Sequence, residues 1–137
     1  MIKSTLGHLV VNIHIENKQF YADLFTFLGW KVLFNEPKML AVVDEHQVSL
    51  WLADPIKQLD NDYDGIGMNH LALSVPSQAG VDETVAFLRQ HNVPALFETP
   101  RHRPEFCSST GETYYQVMFE SPDRILFEVV YIGPRQS

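Results

Sequence analysis

Residues 7–14, GHLVVNIH, alternate: Leu9, Val11 and Ile13 fall on one face, and His8, Val10, Asn12 and His14 on the other. Period two with β-branched residues predicts a strand. NKQFYADLFTFLG follows, with Phe20, Leu24, Phe27 and Leu28 at helical spacing and Gly29 where a helix-terminating glycine belongs. WKVLFN, KMLAVVD and QVSLWLA read as three short strands, with NEPK and DEHQ as the turns between them. Residues 54–67, DPIKQLDNDYDGIG, are polar and acidic and read as a linker. The order then repeats. MNHLALSV predicts a strand, and AGVDETVAFLRQHN a helix with Val81, Val85 and Leu88 on one face. VPALFET predicts a strand, TPRHRPEFCSSTGE a long loop, and TYYQVMFES and DRILFEVVYI two further strands; the tail GPRQS is expected to be disordered.

Two successive β-α-β-β-β runs point to an internal duplication. The expected fold is α+β: two repeated βαβββ modules, residues 5–53 and 68–132, joined by the linker 54–67 and followed by a tail at 133–137. A sheet with a helix on one face must cover its other face or use it to line a cavity, and the two sheets are expected to curl around one that holds metal and substrate. The chain of 137 residues is 45% hydrophobic, enough for a core. Its net charge of −7 argues against nucleic acid or an anionic membrane as partner. No apolar run approaches the ~20 residues of a membrane span. The N-terminus lacks a small-residue cleavage site, so no signal peptide is read. The single cysteine, Cys107, cannot form an internal disulfide, which fits a cytoplasmic setting. Beside SST it reads as a bystander rather than a nucleophile.

Strand parity selects the candidate chemistry. If Leu9, Val11 and Ile13 pack on the helix, then His8, Val10 and Asn12 face the cavity. In the second module Leu71, Leu73 and Val75 pack, leaving His70, Ala72 and Ser74. In the last strand Phe127, Val129 and Tyr131 pack outward, leaving Leu126, Glu128 and Val130 inward. Glu128 is thus a lone carboxylate in an apolar run, and leaving it unsatisfied would cost ~1–3 kcal/mol or more. A divalent metal held by Glu128 and two neutral imidazoles would satisfy all three; Arg101, Arg103 or Arg124 could pair with Glu128 instead. Two histidines and a carboxylate form a facial site with open coordination positions, the mark of catalytic metals. Fe, Mn, Ni, Co and Zn all suit such a set.

Order and spacing of these segments resemble the vicinal-oxygen-chelate superfamily, the fold of glyoxalases, bleomycin-resistance proteins, fosfomycin-resistance transferases and ring-cleaving dioxygenases. GHLVVNI resembles the family's opening ligand strand and FYADLFTFLGW its first helix. NHLALSV resembles the second ligand strand, and YYQVMFESPDRILFEVV the closing hairpin. The resemblance covers about residues 6 to 132 and implies His8, His70 and Glu128 as metal ligands. It also implies a homodimer, in which His8 of one subunit joins His70 and Glu128 of the other. Two departures stand out. SPDR replaces the usual Asp-Pro-Asp-Gly turn, so Arg124 sits at the glycine position and a slightly different turn is expected. The fourth strand offers Ser49, Trp51 and Ala53 inward, where glyoxalase I-like members carry a second Glu. A standard glyoxalase I mechanism would therefore lack its base.

The sequence points to a metal-dependent enzyme acting on a small oxygen-rich substrate by bidentate chelation, of lyase/isomerase or dioxygenase type. Glu128 and Tyr114 are the catalytic candidates. Ser49, Trp51, Gln116, Met118 and Arg103 are candidate substrate contacts; Arg101, His102 and Arg103 could clamp an anionic group, although a solvated loop is the plainer reading of that segment. The alternative is a metal-free sequestering protein like the bleomycin-resistance members. The three ligand types favour the enzyme, and the missing fourth-strand carboxylate favours the alternative. His14, His46 and His91 read as structural or solvent-exposed.

Overall fold

The computed structural model describes residues 1–137. The chain forms two compact units, residues 1–60 and 61–137. In the first, β1 (His8–Asn12) leads through a 3-10 turn (Ile15–Asn17) into α1 (Lys18–Phe27), followed by β2 (Lys31–Glu36), β3 (Met39–Val43) and β4 (Ser49–Ala53). In the second, β5 (Leu71–Ser74) leads to α2 (Gln78–Gln90), β6 (Leu96–His102), β7 (Glu112–Glu120) and β8 (Leu126–Pro134), with a 3-10 turn at Pro104–Phe106. The sheet orders are β1-β4-β3-β2 and β5-β8-β7-β6. In each, the first strand runs parallel to the last and the other pairings are antiparallel. The fold is α+β, two repeated βαβββ modules.

Each helix covers one face of its own sheet. α1 buries Tyr21, Leu24 and Phe25. The expected stripe through Phe20 and Phe27 is therefore rotated, and Phe27 is exposed. Choosing Tyr21 and Phe25 keeps the i, i+4 pair on the buried side while the helix closes at Gly29. Gly29 takes φ +85°, its N–H donates to Thr26 O at 3.1 Å, and Trp30 N–H reaches back to Phe25 O at 2.9 Å. This paired closure satisfies the last carbonyls and needs a left-handed residue. α2 buries Val81, Val85 and Leu88 as the periodicity predicts, adding Thr84 and Phe87. The Ser77 hydroxyl caps its start by accepting from Gly80 N–H at 3.1 Å.

Four local expectations change. β6 runs on to His102, into the segment predicted as loop. It carries a bulge between Leu96 and Arg101, where Phe97 and Glu98 take φ of 56° and 60°. Such left-handed residues cost on the order of 1–2 kcal/mol each. The Thr99 hydroxyl bridges the gap, donating to Leu96 O at 2.7 Å and accepting from Met118 N–H at 2.9 Å. The closing tail is tied down: Gln136 and Gln78 exchange three hydrogen bonds of 2.6–2.9 Å at the start of α2. The SPDR turn needs no new geometry, because Arg124 itself takes φ 56°, the conformation glycine would favour. Finally, the polar segment is part structure: Tyr63 is buried, bonded through its hydroxyl to Glu120 and covered by the Arg124 guanidinium at 5.1 Å.

Tyr115 lies on the helix side of β7 and donates to Asp82 of α2 at 2.6 Å. Burial, then the Asp82 hydrogen bond, pushes its pKa up to about 12. The raised value belongs to the neutral, donating form. Its contribution to stability is complete below the unfolded value of ~10 and is lost as pH rises toward 12. Between pH 10 and 12, chemical denaturation of a Tyr115→Phe variant should show a shallower loss of stability, relative to its own value at pH 8, than the parent protein.

Candidate metal and substrate site

Glu128 stands mid-strand in β8 and is 2% exposed. Its cross-strand partner on β7 is Met118, which offers no hydrogen bond. The donors come from farther along β7 on the same face, where only long side chains reach. The Tyr114 hydroxyl donates to Glu128 Oε1 at 2.5 Å, and Gln116 Nε2 donates to the same oxygen at 2.8 Å. Burial, reinforced by Glu128, pushes the Tyr114 phenol well above its ordinary value, so it remains a donor.

The second carboxylate oxygen faces a histidine. His70 immediately precedes β5, and its Nε2 lies 3.1 Å from Glu128 Oε2. Its other nitrogen, Nδ1, is 2.7 Å from Asn69 Oδ1. Asn69 is itself oriented, because its Nδ2 donates to Tyr63 O at 3.1 Å. That leaves Asn69 presenting an acceptor to the ring, so the Nδ1 hydrogen belongs there. Nε2 and Oε2 then face each other at hydrogen-bonding distance, an arrangement that a shared proton or a metal ion satisfies. An imidazole oriented through its far nitrogen, beside a carboxylate oriented through its far oxygen, is the outer-shell arrangement of metal ligands. The pair fits a divalent cation. The His70 side chain is 37% exposed, which leaves the pair open to small molecules.

The predicted residues divide between the units. Glu128, His70, Tyr114 and Gln116 come together in the second. Met118 lies beside them opposite Glu128, and Arg103 reaches Gln116 Oε1 with Nη1 at 3.4 Å. Glu128 is engaged by His70, Tyr114 and Gln116 rather than by the arginines, which turn to other carboxylates: Arg101 to Glu98, Arg103 to Glu105 and Arg124 to Glu120. His8, Ser49 and Trp51 belong to the first unit. His8 is exposed at the start of β1, and the Ser49 hydroxyl accepts from Trp51 Nε1 at 3.0 Å. Neither unit gathers three His, Cys, Asp or Glu side chains into a cluster that could hold a metal by itself.

Register sharpens one departure. Two residues beyond His8, Val10 pairs with Trp51; two beyond His70, Ala72 pairs with Glu128. Trp51 is therefore the first module's counterpart of Glu128, set against Phe34 at 6.1 Å between ring centres. Asn69 and Tyr63 are the positions supporting the candidate site that sequence reasoning missed. The available signals were an amide directly before a candidate ligand and one aromatic inside a polar stretch. Two of the remaining histidines have structural partners: His91 Nδ1 meets Phe87 O at 2.9 Å, and His102 Nδ1 meets the Thr113 hydroxyl at 2.6 Å.

Residues 5–129 match the family model described as the Glyoxalase/Bleomycin resistance protein/Dioxygenase superfamily, and the chain belongs to that superfamily. Among solved structures it is similar to a candidate glyoxalase from Bacillus halodurans, with 23% identity, a TM-score of 0.78, and coverage of 94% of this chain and 96% of that one. It is also similar to lactoylglutathione lyase from Agrobacterium tumefaciens (19% identity, TM-score 0.67, 95% of each chain). The fosfomycin resistance protein FosX from Listeria monocytogenes is comparable (20% identity, TM-score 0.65, 94% of this chain and 91% of that one). No curated protein matches at the sequence level. At these identities the structural likenesses establish the fold. No helix is long and apolar enough to cross a membrane.

A hydrogen bond to a buried charged group is worth about 1.5–3 kcal/mol. Tyr114→Phe should lower unfolding free energy by about that amount, and by clearly less in a Glu128→Gln background. Equal losses in the two backgrounds, read from a urea double-mutant cycle, would show that Tyr114 does not act through the carboxylate.

Proposed function

We propose that the protein is a divalent-metal-dependent enzyme of this superfamily, acting on a small oxygen-rich substrate. The observation that carries the reading is the face-off between His70 Nε2 and Glu128 Oε2 at 3.1 Å, each group pinned through its opposite atom. His70 and Glu128 would hold the ion, and His8 would supply the third ligand that the family resemblance implies. A second copy of the chain is the expected source of that ligand, in a homodimer. A bound divalent ion with open positions polarises substrate oxygens and stabilises negative charge that develops on them.

The chain's own residues divide the remaining work. Tyr114 and Gln116 hold Oε1, so that Oε2 keeps its direction. Asn69 keeps the Nδ1 hydrogen of His70 and leaves Nε2 as the donor atom. Met118 gives the site an apolar wall. The counterpart of Glu128 in the first module is Trp51, so no second carboxylate stands ready as a base there. The proposed chemistry therefore relies on substrate chelation rather than on paired carboxylates, in either a lyase/isomerase or a dioxygenase reaction.

Metal content and calorimetry test the reading. The purified protein should take up close to one equivalent of Fe(II), Mn(II), Co(II), Ni(II) or Zn(II), and His70→Ala or Glu128→Gln should abolish uptake. Asn69→Ala should weaken it by about 10–100-fold, the usual loss when an outer-shell partner of a ligating histidine is removed. A folded protein that accepts none of these ions would instead be a metal-free sequestering protein, with a hydrogen bond holding His70 to Glu128.

A further inference from the structure

The end of β6 carries two guanidinium groups that the proposed metal site does not use. Arg101 pairs in register with Gln116, and Arg103 N–H donates to Tyr114 O at 2.7 Å. Arg101 lies in β6 and Arg103 just past its end, still bonded to β7 opposite Tyr114, so both lie on the face of Gln116 and Tyr114, the two side chains that hold Glu128. His102 between them turns the other way, stacking on Tyr115 at 4.4 Å. The bulge creates this placement. With Leu96 opposite Met118, a regular ladder would set Glu98 opposite Gln116; the inserted residues bring Arg101 there instead.

The Arg101 guanidinium is not fully occupied. Arg101 Nε is buried and has no hydrogen-bond partner, while Nη1 approaches Glu98 at only 3.6 Å. Glu98 is 87% exposed, and exposed ion pairs of this kind hold weakly. Arg103 is fixed more firmly. It lies over Phe106 at 4.6 Å, Phe106 packs edge-on against Tyr114 at 5.3 Å, and Arg103 Nε bonds Glu105 at 2.5 Å. In a chain of net charge −7, paired cations beside a buried carboxylate, one with an orphaned buried donor, call for an anion. Guanidinium forks match planar and tetrahedral oxyanions.

The geometry points to Arg101 and Arg103 as the seat of an anionic group, a carboxylate or a tetrahedral phosphoryl oxyanion, on the substrate. The inference rests on the proposed metal site only for which end of the substrate reacts; the anion seat itself needs no metal.

Calorimetric titration of metal-free protein tests it, with malonate and phosphonoacetate as probes and neutral malonamide as control. At least one dianion should bind and malonamide should not. Arg101→Gln and Arg103→Gln should each weaken binding about tenfold, and Glu98→Gln, at an exposed position, should tighten it severalfold by freeing Arg101. Tighter binding of malonate assigns a carboxylate, and tighter binding of phosphonoacetate a tetrahedral phosphoryl oxyanion. Dianions that bind no better than malonamide, or equally well to the double arginine variant, overturn the inference. Uptake of metal by a protein that ignores both dianions would leave the metal reading standing and remove this one; the converse result would remove only the metal reading.

Discussion

A carboxylate sealed in the middle of an apolar strand constrains everything near it. Glu128 sits among Leu126, Phe127, Val129 and Val130, all buried. Unpaired, such a charge would cost more than the strand gains from its neighbours. The compensation cannot come from directly across the ladder, where Met118 stands. It comes from Gln116 and Tyr114, whose side chains span the extra distance. A shorter amide or hydroxyl at either position would fall short. Because both donors take Oε1, Oε2 is left with a single neighbour, the His70 ring. The asymmetry of the carboxylate's surroundings thus gives the site its direction.

That direction extends outward through backbone that looked like connection. Tyr63 is anchored by Glu120 and Arg124, and Asn61 Nδ2 donates to Arg124 O at 2.9 Å. The same short segment then offers Tyr63 O to Asn69, and Asn69 offers its oxygen to His70. The β7–β8 hairpin therefore supports both members of the pair: Glu128 directly, and His70 through the strap. A change at Arg124 would act on His70 without touching it.

Much of this was legible from the sequence. Period-two alternation correctly separated Leu9, Val11 and Ile13 from His8, Val10 and Asn12, and placed Glu128, Tyr114, Gln116 and Met118 on one face. The repeated element order gave the modules. What was not legible follows from the limits of local pattern. α1 had two competing aromatic stripes, and only packing against its sheet chose Tyr21 and Phe25. The β6 bulge depends on Phe97 and Glu98 accepting left-handed backbone, which neither residue type advertises. Without the bulge, Arg101 and Arg103 read as loop. The role of Tyr63 arises from contacts with a hairpin some 60 residues away in the chain, beyond any periodicity, and Asn69 inherits its place from Tyr63.

Duplication supplies the last step. The two modules place Trp51 and Glu128 at equivalent register positions, so the same position is aromatic in one module and acidic in the other. The exchange alters charge as well as chemistry. In the proposed metal site, a divalent ion held by two neutral imidazoles and Glu128 as the one carboxylate would keep one positive charge. Oxygen donors carrying negative charge then bind such a centre more strongly than neutral ones. Arg101 and Arg103, on the Glu128 side of the molecule, add to the same field. On the proposed reading, a single carboxylate among the metal ligands and the arginines placed by the β6 bulge would favour the same kind of substrate, an anion, although the two features arise on different strands and from different local causes.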